Sequence, residues 1–184
     1  MVFWFFGFPG SGKDFCANKF SKILKAPYVN ADDFLTEELK RKLVDGTYTI
    51  EDRIEKLEKI CQYILNLLKQ NSHVIATDSL PDNRSRQLIL DTFKNQIKMI
   101  LVTVSLEAHK KRLKKRQNHF FTADLLDKWV TKFWEPITFH HTILKNDKSG
   151  DQELIKKLKI LAKKWTRPDS NGGPVACKAT ALAN

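Results

Sequence analysis

A short apolar run feeding directly into a glycine-rich turn constrains this chain more than any other feature. Val2 to Phe6 (VFWFF) is apolar throughout and rich in aromatic and β-branched residues, the pattern of a strand covered on both faces. It passes without a break into Gly7-Phe8-Pro9-Gly10-Ser11-Gly12-Lys13, which fits the spacing G-x-x-x-x-G-K of a phosphate-binding loop. Glycine suits such a loop because inward-turned backbone amides must approach phosphate oxygens without side chains in the way. A helix opening near Ser11 adds the positive end of its dipole, and Lys13 is placed to reach the β and γ oxygens. Gly7, Pro9, Gly10, Ser11, Gly12 and Lys13 are therefore the expected nucleotide contacts. One position departs from the pattern. Where a Ser or Thr hydroxyl normally ligates Mg²⁺, this chain has Asp14, a carboxylate that can hold the ion directly or through water but also repels phosphate.

With 184 residues and 42% hydrophobic content, the chain is long enough for one domain with a substantial core. No apolar stretch reaches the length of a membrane helix. The apolar start is short, lacks a basic leader and carries the phosphate loop, so it does not read as a signal peptide. Cys16, Cys61 and Cys177 show neither disulfide-framework nor metal-ligand spacing, which suits reduced thiols in the cytoplasm. A formal charge of +11 suits an anionic partner.

The periodicity predicts a first helix to about Lys25, with Phe15, Cys16, Phe20, Ile23 and Leu24 on one face. It continues with a strand at 27–30, a helix opened by Ala31-Asp32-Asp33-Phe34 and ending at Asp45-Gly46, and a long amphipathic helix capped by Thr49. Further on come a strand at 73–78, a helix from Arg84 to Phe93, a buried strand at 97–104, a basic helix at 106–116, a helix from Thr122 to Trp134, a fifth strand at 137–144 and a closing helix at 154–165. Alternating strands and helices predict a parallel sheet with helices on both faces. Ligands in such sheets bind beyond the carboxyl ends of the strands, which gathers Gly7–Lys13, Asp32, Asp33 and Asp78 at one edge. Residues 1–166 form the predicted domain. Residues 167–184 (RPDSNGGPVACKATALAN) lose the apolar period and read as a disordered or foreign tail.

Such a site on a short chain favours phosphoryl transfer to a small acceptor. Asp32 is the best candidate to orient or deprotonate the acceptor hydroxyl, with Asp33 its competitor; helix N-capping is the plain alternative for both. Asp78 can hold Mg²⁺ through water or simply form a turn. Lys110-Lys111-Arg112-Leu113-Lys114-Lys115-Arg116 carries six cations in seven positions. Such a run is usually a solvated helix face, yet Arg112 and Arg116 stand one helical turn apart where a lid over ATP is expected. A nucleic-acid footprint is the rival, disfavoured by the absence of interleaved aromatics. His119 can touch substrate or brace the lid loop. His140 and His141 point to opposite sides of a strand and read as structural.

GFPGSGK at 7–13, NADDF at 30–34, TIEDR at 49–53 and RQNHFFTADLLDKWVTKFWEP at 116–136 together resemble the small P-loop kinases, most of all gluconokinases, with a looser similarity to adenylylsulfate, shikimate and nucleoside monophosphate kinases. The resemblance implies a three-layer α/β/α P-loop kinase fold with a five-stranded parallel sheet and a short lid. It also implies ATP and Mg²⁺, phosphate contacts at Gly10, Gly12 and Lys13, acceptor near Asp32, Arg53 in the acceptor pocket, and Arg116 and His119 in the lid. Gluconate is the leading single acceptor. Where gluconokinases carry a Lys-Arg pair after the third strand, this chain has Asp78-Ser79-Leu80-Pro81-Asp82-Asn83-Arg84, so a carboxylate acceptor has to find its bidentate partner at Arg84 or Arg86. A nucleoside monophosphate or polynucleotide kinase, or a non-catalytic nucleotide- or nucleic-acid-binding protein, are the alternatives. The expected state is a monomer or homodimer.

Overall fold

The computed structural model describes residues 1–114, 134–147 and 151–166. Five strands make one parallel sheet: β1 (Val2–Phe6), β2 (Tyr28–Asn30), β3 (Val74–Thr77), β4 (Ile97–Thr103) and β5 (Thr142–Lys145), in the order β2-β3-β1-β4-β5. Register pairs Trp4 with Ala76 on one side and with Met99 on the other. The helices are α1 (Lys13–Leu24), α2 (Glu37–Asp45), α3 (Ile50–Leu68), α4 (Asn83–Phe93), α5 (Leu106–Lys114) and α6 (Asp151–Thr166), with 3₁₀ turns at Ala31–Phe34 and Lys94–Gln96.

Strand alternation explains the three layers. All five residues of β1 are fully buried, and they divide by parity. Val2, Trp4 and Phe6 join Leu57, Ile60 and Ile64 of α3 and Ile89 and Phe93 of α4. Phe3 and Phe5 join Cys16 and Phe20 of α1 and Leu154 and Leu158 of α6. Phe20 meets both Phe3 and Phe5 edge-on, with ring centroids 5.2 and 5.5 Å apart. The central strand is thus shared between two cores, and its carboxyl end is fixed from both sides.

Thr49 caps α3 as expected, in a full capping box with Asp52. Three predicted boundaries move. The helix expected from Asp32 is split: a 3₁₀ turn carries Asp32 and Asp33, then α2 starts anew at the Thr36 cap, whose side chain accepts from Leu39 N. The strand expected at 137–144 begins only at Thr142, because Pro136 and the stacking of Phe139 and His141 around Phe6 hold the preceding residues off the sheet. The closing helix starts three residues earlier than its apolar period, at Asp151. The predicted helix at 122–134, Cys177 and the tail at 167–184 lie outside the described residues, apart from Trp134.

Candidate active site

The loop between β1 and α1 has the backbone that phosphate binding needs. Gly7, Gly10 and Gly12 all have positive φ, at 146°, 88° and 85°. A Cβ on Gly7 would come within 2.5 Å of the Val102 carbonyl oxygen, so no larger residue fits there. Ser11 N donates to Phe8 O at 3.0 Å, closing the turn, and Lys13 begins α1 buried within the loop. Ser11 Oγ is buried with no hydrogen-bond partner among the described residues, a polar atom waiting inside the cradle.

A brace behind the loop escaped the sequence reading. His109 Nε2 donates to Pro9 O at 2.6 Å, and Asn146 Nδ2 donates to Ser11 O at 3.0 Å. Arg112 donates to Ser11 O at 3.1 Å and to Asn146 O at 2.6 Å. Arg112, expected as a phosphate contact, here donates to carbonyls of the loop and of Asn146. The sequence signal was weak: one histidine in a basic helix and one asparagine after a strand say nothing until the fold joins them.

Asp14 opens the first turn of α1 with Oδ2 3.5 Å from Lys13 Nζ. Its other oxygen, Oδ1, is buried and has no hydrogen-bond partner among the described residues. An orphaned carboxylate oxygen next to the phosphate-binding lysine fits a hard divalent cation. No group of three His, Cys, Asp or Glu side chains able to hold a metal occurs among the described residues, so an ion here has to complete its shell with water and nucleotide oxygens.

Asp32 is set by a small polar network. Asn30 Oδ1 accepts from Asp32 N at 3.1 Å and from Thr77 Oγ1 at 3.4 Å, while Thr77 also bonds Tyr28 Oη at 3.1 Å. Burial pushes the Tyr28 phenol up to about 12, so it stays a neutral donor or acceptor. Asp32 is an exposed residue of this turn. Partial desolvation and the nearby Asp78 charge raise its pKa above the usual carboxylate range, against the opposing pull of Lys13 and Lys56. Lys13, Asp14, Asp32 and Asp78 thus share one electrostatic neighbourhood at the carboxyl ends of β1, β2 and β3, as the topology argument expected. Asp33 is exposed on the same turn.

Beneath Asp32 lie two buried ion pairs. Lys56 Nζ stands 2.9 Å from Asp78 Oδ2, and Arg53 Nη1 donates to Asp82 Oδ2 at 2.6 Å. Burial alone would raise the Asp78 carboxyl; Lys56, by charge and hydrogen bond, then Arg53 and Lys13, overcome it and hold it low. Ser79 N donates to the other Asp78 oxygen. Lys56 was not foreseen, because a lysine in an amphipathic helix normally faces water. Arg53, which the resemblance implies for the acceptor pocket, has its guanidinium 5.5 Å from the Tyr48 ring centre.

Arg84 and Arg86, the expected partners of a carboxylate acceptor, sit in very different surroundings. Arg84 is exposed and bonds Glu51 at 2.8 Å. Arg86 is 1% exposed and donates to the carbonyls of Leu80, Pro81, Glu135 and Pro136, with Trp134 stacked 5.1 Å away. Its donors are spent on backbone, so it cannot also grip a carboxylate. Trp134 in turn packs 4.1 Å from Phe8 of the phosphate loop, so this knot ties the start of α4 to the nucleotide side. Arg116 and His119 lie outside the described residues.

A family model described as an AAA domain matches residues 2–136. The chain is 26% identical over 162 residues to a protein from Dictyostelium discoideum named probable gluconokinase, a match covering 83% of this chain and 81% of that one. Its fold is similar to the crystal structure of a sugar kinase from a Janibacter species, with TM-score 0.72 and 22% identity over 89% of this chain and 92% of the other. It is also similar to a gluconokinase from Sinorhizobium meliloti, with TM-score 0.68 and 20% identity over 89% and 94%.

Proposed function

This chain belongs to the AAA domain family and is an ATP-dependent P-loop kinase, and on that premise we propose that it phosphorylates a hydroxyl of a small polyhydroxylated metabolite, in the manner of a gluconokinase. The observation that carries the proposal is the company of Asp32: a carboxylate of raised pKa in the electrostatic reach of Lys13, with the phosphate cradle alongside.

Lys13 and the amides of Gly10, Gly12 and Lys13 hold the β and γ oxygens and spread the charge that builds as the γ-phosphoryl moves. Asp14 would hold Mg²⁺ through its orphaned oxygen, with Asp78 a further candidate through water, and the ion would neutralise phosphate charge. Asp32, or Asp33 beside it, orients the acceptor hydroxyl and takes its proton as the new O–P bond forms and the bond to ADP breaks. A raised pKa makes Asp32 a better base than an ordinary aspartate. Arg53 shapes the acceptor pocket and Arg84 its rim, and Arg112 steadies the loop. Arg116 and His119 belong to the proposed lid. A cytosolic setting suits the free thiols of Cys16 and Cys61.

The test is acceptor-dependent ADP release from Mg-ATP with a panel of small polyols and sugar acids. Asp32→Asn should cut kcat by about 100-fold, within the usual range for a positioned general base, and leave KM for ATP nearly unchanged. Full activity in that variant, or ADP release indifferent to acceptor, would contradict the proposal.

A further inference from the structure

We infer that His109 and Asn146 are positioning residues for the nucleotide: by gripping two carbonyls of the phosphate loop from behind, they aim the amides of Gly10 and Gly12 into the cradle. The inference rests on the kinase reading above and gives its phosphate site two members from outside the motif.

A trans peptide unit is planar, and its C=O and N–H point in opposite directions. No cis peptide occurs among the described residues. Whatever holds a loop carbonyl on one side therefore turns the following amide to the other. Two carbonyls are held in this way. Pro9 O accepts from His109 Nε2 at 2.6 Å, and the N–H of that peptide unit belongs to Gly10. Ser11 O accepts twice, from Asn146 Nδ2 at 3.0 Å and from Arg112 Nη1 at 3.1 Å, and the N–H of that unit belongs to Gly12. Gly10 and Gly12 are the residues with φ of 88° and 85° on either side of Ser11. Without a Cβ their peptide planes turn easily, so a grip from outside decides which way the amides face.

Both grips are built into the frame. His109 is 6% and Asn146 7% exposed. A carbonyl oxygen only accepts, so Nε2 of His109 carries a proton and the ring orientation is set. The ring stacks on Phe8 of the loop, with centroids 6.3 Å apart. Asn146 N donates to Thr103 O at 2.8 Å, and Ser105 N donates to Asp147 Oδ1 at 2.5 Å, which ties the start of α5 to the ends of β4 and β5. Asn146 Nδ2 also stands 2.5 Å from the place a Cβ on Gly12 would take, so grip and glycine fit each other. Removing one grip lets a glycine peptide turn and its amide leave the phosphate. The loss then falls on the phosphate chain and not on the base.

Calorimetric titration of Mg-ATP and of Mg-tripolyphosphate into the full chain tests this, the second probe having phosphates and no base. His109→Leu should weaken both about five-fold or more, and by the same factor, in line with one lost hydrogen bond. His109→Gln, which sets a donor at the Nε2 position, should bring both back to within about two-fold of wild type. Unchanged affinity in folded His109→Leu overturns the inference and leaves the kinase reading intact. So does a loss confined to Mg-ATP, which would place His109 on the base. A loss that His109→Gln does not repair also overturns it, since ring packing on Phe8 would then be the cause. Should His109→Leu not fold, Asn146→Ala decides on the same two titrations, with the same weakening expected and unchanged affinity overturning the inference. Wild-type protein that binds neither probe defeats the phosphate site and the inference together.

Discussion

The side chain on which the proposed chemistry turns is Asp32, and its environment predicts a trade between stability and activity. Its pKa is raised in the folded protein, first by desolvation and then by Asp78. The folded state therefore binds more protons than the unfolded one between the ordinary carboxylate value and the raised one, and stability falls as pH climbs through that window. Above it the penalty is fully present; below it the penalty vanishes. Asp32→Asn should accordingly raise Tm at pH 7, lose that gain in acid, and still be a poor enzyme. Thermal melts of both proteins at pH 7 and pH 3 check the sign. Equal melting points at pH 7 would mean that Asp32 is not under electrostatic strain. The acid limb of the wild-type rate profile should likewise lie above the ordinary carboxylate range. Asp32 was legible as a candidate from its place after a strand, because topology alone brings strand ends together. The pairings of Lys56 and Arg86 were not, because burial of a long cation depends on which acid or carbonyl the fold sets opposite it. Arg84 and Arg86 look interchangeable in the sequence and differ completely in the structure.

At the scale of elements, the acceptor side depends on how α3 is joined to the β3–α4 connection. Lys56 links α3 to the end of β3, and Arg53 links it to the cap of α4. Lys56→Ala leaves Asp78 buried without its cation and should cost about 3–5 kcal/mol. Lys56→Met combined with Asp78→Asn should cost clearly less than that, and urea unfolding of the single and double variants measures the difference. Thr49→Ala removes the α3 capping box and should cost about 1 kcal/mol in the same assay. The connection itself holds one strained residue: Leu80 is fully buried in the left-handed region at φ 48°. Arg86 grips the carbonyl of Leu80 and that of the next residue, which keeps the strained turn in place. The cap of α3 and the strands β1 and β4 were readable because local chemistry specifies them. The 3₁₀ turn under Asp32 was not. Asn30 caps it by accepting from Asp32 N, and the same oxygen takes a hydrogen bond from Thr77, 47 residues away, a contact that no local pattern encodes.

For the molecule as a whole, the account is that a doubly covered parallel sheet holds one glycine-rich loop rigid enough to grip a triphosphate. Both cores converge on β1, and α5 with Asn146 braces the loop from behind through His109 and Arg112. The architecture was legible from strand and helix alternation, and the loop from its motif, since each follows from short-range sequence. The brace was not, because its parts are about 100 to 135 residues away from the loop in the chain. The most direct measurement is calorimetric titration of Mg-ATP into the full chain and into Lys13→Ala. The wild type should bind with a Kd below about 1 mM, within the usual range for enzyme substrates, and Lys13→Ala should weaken binding at least ten-fold with its circular dichroism unchanged. Wild-type protein that fails to bind Mg-ATP at millimolar concentration, or equal affinity in the two proteins, would contradict the account.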